Sequence, residues 1–171
     1  SLFDMGPDEQ VGYRVPIACQ VAGISYRQLD YWARTKLVEP SIRTAKGSGT
    51  QRLYSFRDIL VLKIVRGLLD TGISLQNIRL AVDRLRDLGV DDLATITLVS
   101  DGRTVYQCRS NEEVIDLLNG GQGVFGIAVP GIMKELTGTI ASFPSERIDG
   151  TQENPGTGID ELAERRRRRI S

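Results

Sequence analysis

The segment from Tyr13 to Arg79 constrains the fold most, because glycine and serine cut it into short helices at regular intervals. Val15, Ala18, Val21 and Ala22 recur at helical spacing, and Pro16 sits in the first turn, where its missing N–H costs nothing. Gly23 then supplies a left-handed turn residue and Ser25 an N-cap, which predicts a second helix from about Tyr26. In that helix Leu29 and Trp32 are expected to point inward, leaving Tyr26, Arg27, Asp30, Tyr31 and Arg34 on the other faces. Two helices joined by a short turn containing glycine form a helix-turn-helix, whose second member is built to enter the DNA major groove.

After Pro40, the stretch Ser-Ile-Arg-Thr-Ala-Lys-Gly-Ser-Gly-Thr-Gln-Arg-Leu-Tyr is too rich in glycine for a helix and predicts two short strands around a flexible tip. Arg43, Lys46 and Arg52 flank that tip, so the hairpin has the character of a wing whose cations meet phosphates without reading sequence. Ser48 and Thr50 either donate to phosphates or keep the tip soluble. Ser55, with Asp58 three residues on, makes a capping box for a third helix that runs through Ile59, Leu62, Ile64 and Leu69 to Gly72. Ser74 caps a fourth, in which Leu75, Ile78, Val82 and Leu85 have the spacing of a short helix-helix seam.

The formal net charge of +0 conceals a segregation of charge. Residues 11–90 hold 13 Lys+Arg against six acids, residues 91–164 hold four against 13, and Arg165 to Arg169 follow as a basic run. The expected organisation is a leader or tag over residues 1–10, where position 1 is Ser, then a DNA-binding domain over 11–89. A small α+β dimerisation or effector domain over 90–148 and a linker with an Arg-rich tail over 149–171 complete it. The fold class is thus a mainly α winged helix-turn-helix domain, with four helices and a β-hairpin wing, followed by an α+β domain. No apolar run reaches the roughly 20 residues that span a bilayer and no signal peptide is visible, so a cytoplasmic, nucleoid-associated protein without membrane contact is expected.

In the acidic half, two β-rich runs on either side of Asp101-Gly102 predict a hairpin, and Ser110 with Glu113 predicts a capped helix carrying Val114, Leu117 and Leu118. Residues 124–129 are a third strand candidate, and Ile132, Met133, Leu136 and Ile140 outline a helix after Pro130-Gly131. The loop Gly120-Gly-Gln-Gly123 lacks the Lys and Ser/Thr of a phosphate-binding loop. Tyr106, Phe125 and Met133 either pack the core or line a small-molecule pocket. In the tail, Glu161 and Glu164 stand four residues before Arg165 and Arg168, as a short helix prefers, and the arginines either grip DNA nonspecifically or fray into solvent. With no histidine and two distant cysteines, Cys19 and Cys108, neither a metal cluster nor a disulfide framework is expected, and no cofactor or catalytic pairing is visible.

Six short motifs in order carry a family resemblance: Tyr13-Arg14, Ile24-Ser25-Tyr26-Arg27-Gln28-Leu29-Asp30-Tyr31-Trp32, Leu37-Val38-Glu39-Pro40, Gln51-Arg52-Leu53-Tyr54-Ser55, Asp58-Ile59 and Gly72-Ile73-Ser74-Leu75. Over residues 12–88 the chain resembles MerR-type transcription regulators, and its overall look is similar to actinobacterial members. The resemblance implies a homodimer on a near-palindromic promoter element, often bending or untwisting the spacer for RNA polymerase; any small-molecule effector is left open. It implies that Arg27 contacts DNA, that the Tyr31 hydroxyl meets the backbone and that Arg52 and Arg43 serve the wing. Ser25, Tyr26, Asp30, Arg34 and Lys46 complete the candidate DNA-binding set. Tyr26 either covers the helix start or meets a phosphate. Asp30 stands where many members carry Arg, so it is either a specificity element that accepts from a cytosine amino group or a partner for Arg34. Trp32, in place of a common Tyr, is expected in the core. The long dimerisation helix of the family is missing after Gly89, so pairing falls to the fourth helix together with the acidic half. An architectural DNA-bending or excisionase-like factor is the alternative function.

Overall fold

The computed structural model describes residues 11–42, 51–119, 125–147 and 152–153. It opens with a strand, β1 (Val11–Arg14), that turns directly into α1 (Val15–Ala22), with Pro16 in its first turn. Gly23 ends α1 in the left-handed region at φ 72°, and its N–H donates to the Cys19 carbonyl at 2.8 Å. The left-handed backbone calls for glycine there, and a Cβ at Gly23 would also push the Arg66 guanidinium aside. Next come α2 (Tyr26–Arg34), β2 (Leu53–Tyr54), α3 (Phe56–Asp70) and α4 (Leu75–Leu85). The serine caps are present as the spacing requires: Ser25, Ser55 and Ser74 each accept from the backbone N–H three residues on.

β2 pairs antiparallel with β1, Tyr13 opposite Tyr54 and Arg14 opposite Leu53; the strand predicted to face it across the wing lies largely outside the described residues. Arg43 and Lys46, and the tip between them and Thr50, lie outside the described residues. Pairing across the base of that segment begins where the Ile42 N–H donates to the Leu53 carbonyl at 3.2 Å. β1 was itself missed. It is a four-residue strand with no period to betray it, and its partners come from far along the chain. Gly12 is needed in it because an added Cβ would stand 2.9 Å from Leu53 Cβ.

Beyond α4 the chain makes a one-turn helix, α5 (Val90–Leu93), then β3 (Thr97–Ser100), β4 (Val105–Cys108), α6 (Asn111–Asn119), β5 (Phe125–Ala128), α7 (Val129–Ile140), β6 (Ser145–Arg147) and β7 (Gln152–Glu153). β4, β3 and β5 form an antiparallel sheet in that order. The β3–β4 connection is four residues long, Asp101 to Thr104, and not a two-residue Asp-Gly turn. Asp101 Oδ1 builds it by accepting from the Arg103 and Thr104 N–H groups at 2.9 and 2.7 Å. At the start of α6, Ser110 Oγ accepts from Glu113 N–H, but the Glu113 carboxylate takes the Arg109 N–H, one residue earlier than a capping box would. α7 starts at Val129 and takes Pro130 and Gly131 into its first turn.

The second sheet joins segments far apart in the chain in the order β2-β1-β6-β7, with Gly12 opposite Glu146. Packing is continuous across residues 89 and 90: Leu93, Ile96, Leu98, Val105, Val129, Leu136 and Ile140 share one hydrophobic cluster with Val21, Leu29, Trp32 and the residues of α3. α3 is its axis. It buries Phe56, Ile59, Leu60, Val61, Leu62, Ile64, Val65 and Leu68 and packs against α1, α4 and α7. Ile78, Val82 and Leu85 of α4 are buried in this cluster, with Leu75 packed against it, so that seam serves the chain's own core; Leu80 remains exposed. The architecture is mixed α/β with a helical N-terminal half. Among the described residues no helix is long and apolar enough to cross a membrane, and no group of three or more His, Cys, Asp or Glu is placed to hold a metal ion.

Candidate nucleic-acid interface

The helix-turn-helix is fastened at every joint. Ser25 Oγ accepts from Gln28 N–H and Gln28 Oε1 accepts from Ser25 N–H, both at 3.1 Å, which fixes the first turn of α2. Arg66 of α3 donates to the Gly23 carbonyl in the turn. At the far end, Thr35 Oγ1 donates to the Tyr31 carbonyl at 2.8 Å, and Arg79 of α4 donates to Thr35 O at 2.9 Å and to Thr35 Oγ1 at 2.7 Å. Lys36 then adopts φ 61°, and Arg86 donates to its carbonyl at 2.8 Å. Arginines from α3 and α4 therefore satisfy carbonyls that the ends of α1 and α2 leave unpaired.

The fold settles which side of α2 faces out. Leu29, Trp32 and Ala33 are buried, with the Trp32 indole in the core as its size suggests. The exposed side has two adjacent ridges. Arg27 and Tyr31 form one at i,i+4 spacing, and Tyr26, Asp30 and Arg34 form the other. Tyr26 is 62% and Tyr31 46% exposed, large aromatic surfaces with little to cover them within the chain. Arg27 carries no hydrogen bond or ion pair among the described residues, and it is the cation of α2 in that condition.

Asp30 turned out to be the hub of the second ridge. Its Oδ2 lies 2.9 Å from Arg34 Nε on the same helix, and its Oδ1 lies 2.8 Å from Arg52 Nη1 beside β2. Asp30 is thus the partner of Arg34 that its place on the helix allows, and Arg52 joins the pair. The hydrogen bond from Arg52, reinforced by the charges of both arginines, holds the Asp30 carboxyl below the usual carboxylate range. The same bond pushes the Arg52 guanidinium up.

A third fastening escaped sequence reading. Asp58 Oδ2 accepts from Ser41 N–H at 2.8 Å, Ser41 Oγ at 2.7 Å and Ser55 N–H at 2.9 Å, so the α3 capping box also grips Ser41, where the glycine-rich segment leaves. The Ser55–Asp58 spacing was visible; that Ser41 would close on it depends on the tertiary path. Tyr54, beside this junction, is fully buried with its hydroxyl lacking a hydrogen-bond partner among the described residues. Burial pushes its phenol up and keeps it neutral. Both cysteines are free; burial raises the thiols of Cys19 and Cys108 and keeps them protonated near neutral pH.

Comparison with known proteins falls on this same region. A family model described as "MerR HTH family regulatory protein" matches residues 13–85, from β1 to the end of α4. HTH-type transcriptional regulators of Mycobacterium bovis and Mycobacterium tuberculosis are 71% identical over 166 residues, covering 97% of this chain and 73% of theirs. The chain belongs to the MerR family. A further family relative, the HTH-type transcriptional regulator HmrR of Sinorhizobium medicae, is 30% identical over 83 residues, 47% of this chain and 54% of its own length. As a MerR-family regulator the protein is a DNA-binding transcription factor, and all six motifs of the sequence analysis begin within the matched span. The mycobacterial likeness continues well past Leu85, so the acidic half is part of what this chain shares with those HTH-type regulators.

Proposed function

We propose that this MerR-family chain is a sequence-specific regulator that binds a near-palindromic promoter element as a homodimer. The N-terminal half of α2 enters the major groove, Arg27 reads a base edge and Tyr31 meets the backbone one turn on. Ser25 and Tyr26 approach phosphate at the start of the helix, and Arg43, Lys46 and Arg52 carry the wing along the phosphate backbone. The observation that supports this reading best is the ridge of Arg27 and Tyr31: an unpaired guanidinium and a half-exposed phenol on a helix whose other features are locked from behind.

Because Ile78, Val82 and Leu85 are spent inside the chain, pairing is assigned to residues 90–148 together with the outward face of α4, where Leu80 is 57% exposed. Control of transcription follows from engagement of RNA polymerase at the bound promoter, in the cytoplasm. Site selection from random duplexes tests the reading. A pair of two-fold-related half-sites, bound by a dimer in sedimentation, is the expected result. A single asymmetric site bound by a monomer would favour an architectural DNA-bending role and overturn it.

A further inference from the structure

The Asp30 hub has a role that its cations alone do not explain. A carboxylate on the outward side of a recognition helix repels every phosphate. This one is also tied by both oxygens to the two arginines nearest it, Arg34 and Arg52. The two bonds differ in setting. Arg52 is 18% exposed and held against the helix, whereas Arg34 is 66% exposed. A phosphate that takes Arg34 Nε or Arg52 Nη1 must therefore displace a formed ion pair, and one that meets the other nitrogens does so beside the Asp30 charge. Binding energy from contacts such as those of Arg27 and Tyr31, available on the right sequence, offsets that cost; a random duplex offers no such compensation.

We propose that Asp30 is a specificity-determining residue: by holding Arg34 and Arg52 it withholds two cations from non-cognate DNA and positions Arg52 beside the recognition helix for the cognate site. This rests on the DNA-reading function proposed above and adds the means by which random duplexes are rejected. It also gives a physical reason for an acid at this place on the helix. An arginine here would add affinity for all DNA alike.

The test uses the full chain with Asp30→Asn, which keeps shape and removes charge, and Asp30→Glu, which keeps charge. Dissociation constants are measured over a salt series on a duplex recovered by site selection and on a random duplex of equal length. For Asp30→Asn the random duplex should bind about fivefold tighter, with a salt slope steeper by roughly one to two phosphate contacts. The selected duplex should gain less or weaken, so that the ratio of the two affinities falls. Asp30→Glu should stay near the parent on random DNA. Equal changes on both duplexes with an unchanged slope would overturn the proposal, as would equal tightening on random DNA by Asp30→Glu. Thermal unfolding of each variant separates a folding defect, which lowers both affinities without altering the slope. A parent protein that prefers no duplex over random DNA would instead overturn the DNA-reading function, and this inference with it.

Discussion

The basic and the acidic halves use their excess charge in opposite ways. Between residues 11 and 90 most described cations are engaged within the chain: Arg57, Arg66, Arg79 and Arg86 donate to backbone carbonyls, Arg14 pairs with Glu146, and Arg34 and Arg52 pair with Asp30. Arg27, Lys36 and Arg84 are left without a partner among the described residues. Beyond residue 90 Glu146 is buried, but other described acids lie outside. Asp91, Asp92, Glu112 and Asp116 are exposed on α5 and α6 with no side-chain partner among the described residues. A segment's charge sum thus overstates the field of the basic half, most of whose described arginines are held by carbonyls or carboxylates of the chain, and represents that of the acidic half more faithfully.

The sharpest way to break this contrast is to remove an inward cation. Arg57 donates to the carbonyls of Leu88 at 2.7 Å, Leu85 at 2.6 Å and Arg86 at 3.2 Å, closing the end of α4. Arg57→Ala should cost about 3 kcal/mol in unfolding free energy, because hydrogen bonds from a charged donor are lost and carbonyls are left bare. Denaturant titration measures that loss. The salt slope of DNA binding should stay as it was, and a shallower slope would show that Arg57 faces phosphate after all. An outward cation should behave in reverse. Arg27→Ala is expected to leave stability within about 0.5 kcal/mol and to weaken a selected site by about 1–3 kcal/mol while relaxing base preference. Equal losses on selected and random duplexes would remove its base-reading role.

Two carboxylates sharpen the comparison further. Asp30 is held low by guanidinium groups and Asp101 by the backbone N–H groups of Thr104 and then Arg103. In both, the folded value lies below the unfolded one, so each contributes stability above the usual carboxylate range and loses it as pH falls through the depressed folded value. Acid titration of stability should show both losses, and Asp30→Asn and Asp101→Asn should each flatten part of the acid limb. Added salt should shrink the Asp30 part more, because ion pairs are screened and short backbone hydrogen bonds are not. The smallest effect belongs to Tyr54→Phe. Removing a buried hydroxyl with no partner among the described residues should be neutral, or stabilise by about 1 kcal/mol, and a loss of more than that in thermal unfolding would reveal a bond that the hydroxyl makes.

Local chemistry made much of the helical half legible. Ser25, Ser55 with Asp58, and Ser74 sit at their caps, Gly23 has the left-handed backbone its place demanded, and Leu29 and Trp32 point inward. These depend on residues at most four apart. What was hidden depends on separation: Asp30 meets Arg52 across 22 positions, Ser41 meets Asp58 across 17, and Arg14 meets Glu146 across 132. The arginine caps were hidden for the same reason, since a guanidinium finds a helix end through packing and not through spacing. The α4 seam was read correctly as apolar, but its partner, the chain's own α3, was not visible from periodicity.

The strand at the beginning of the described chain has one further consequence. β1 lies between β2 of the DNA-reading half and β6, whose residues 145–147 are made more than 130 positions after it. During synthesis the helices α1 to α4 leave the ribosome with β1 still lacking its second neighbour and with Leu93, Leu136 and Ile140 not yet packed beneath them. Such long-range closure is slow compared with helix formation. The DNA-reading helices therefore rest on a sheet and a core that are complete only once residues 93–147 have folded back onto them.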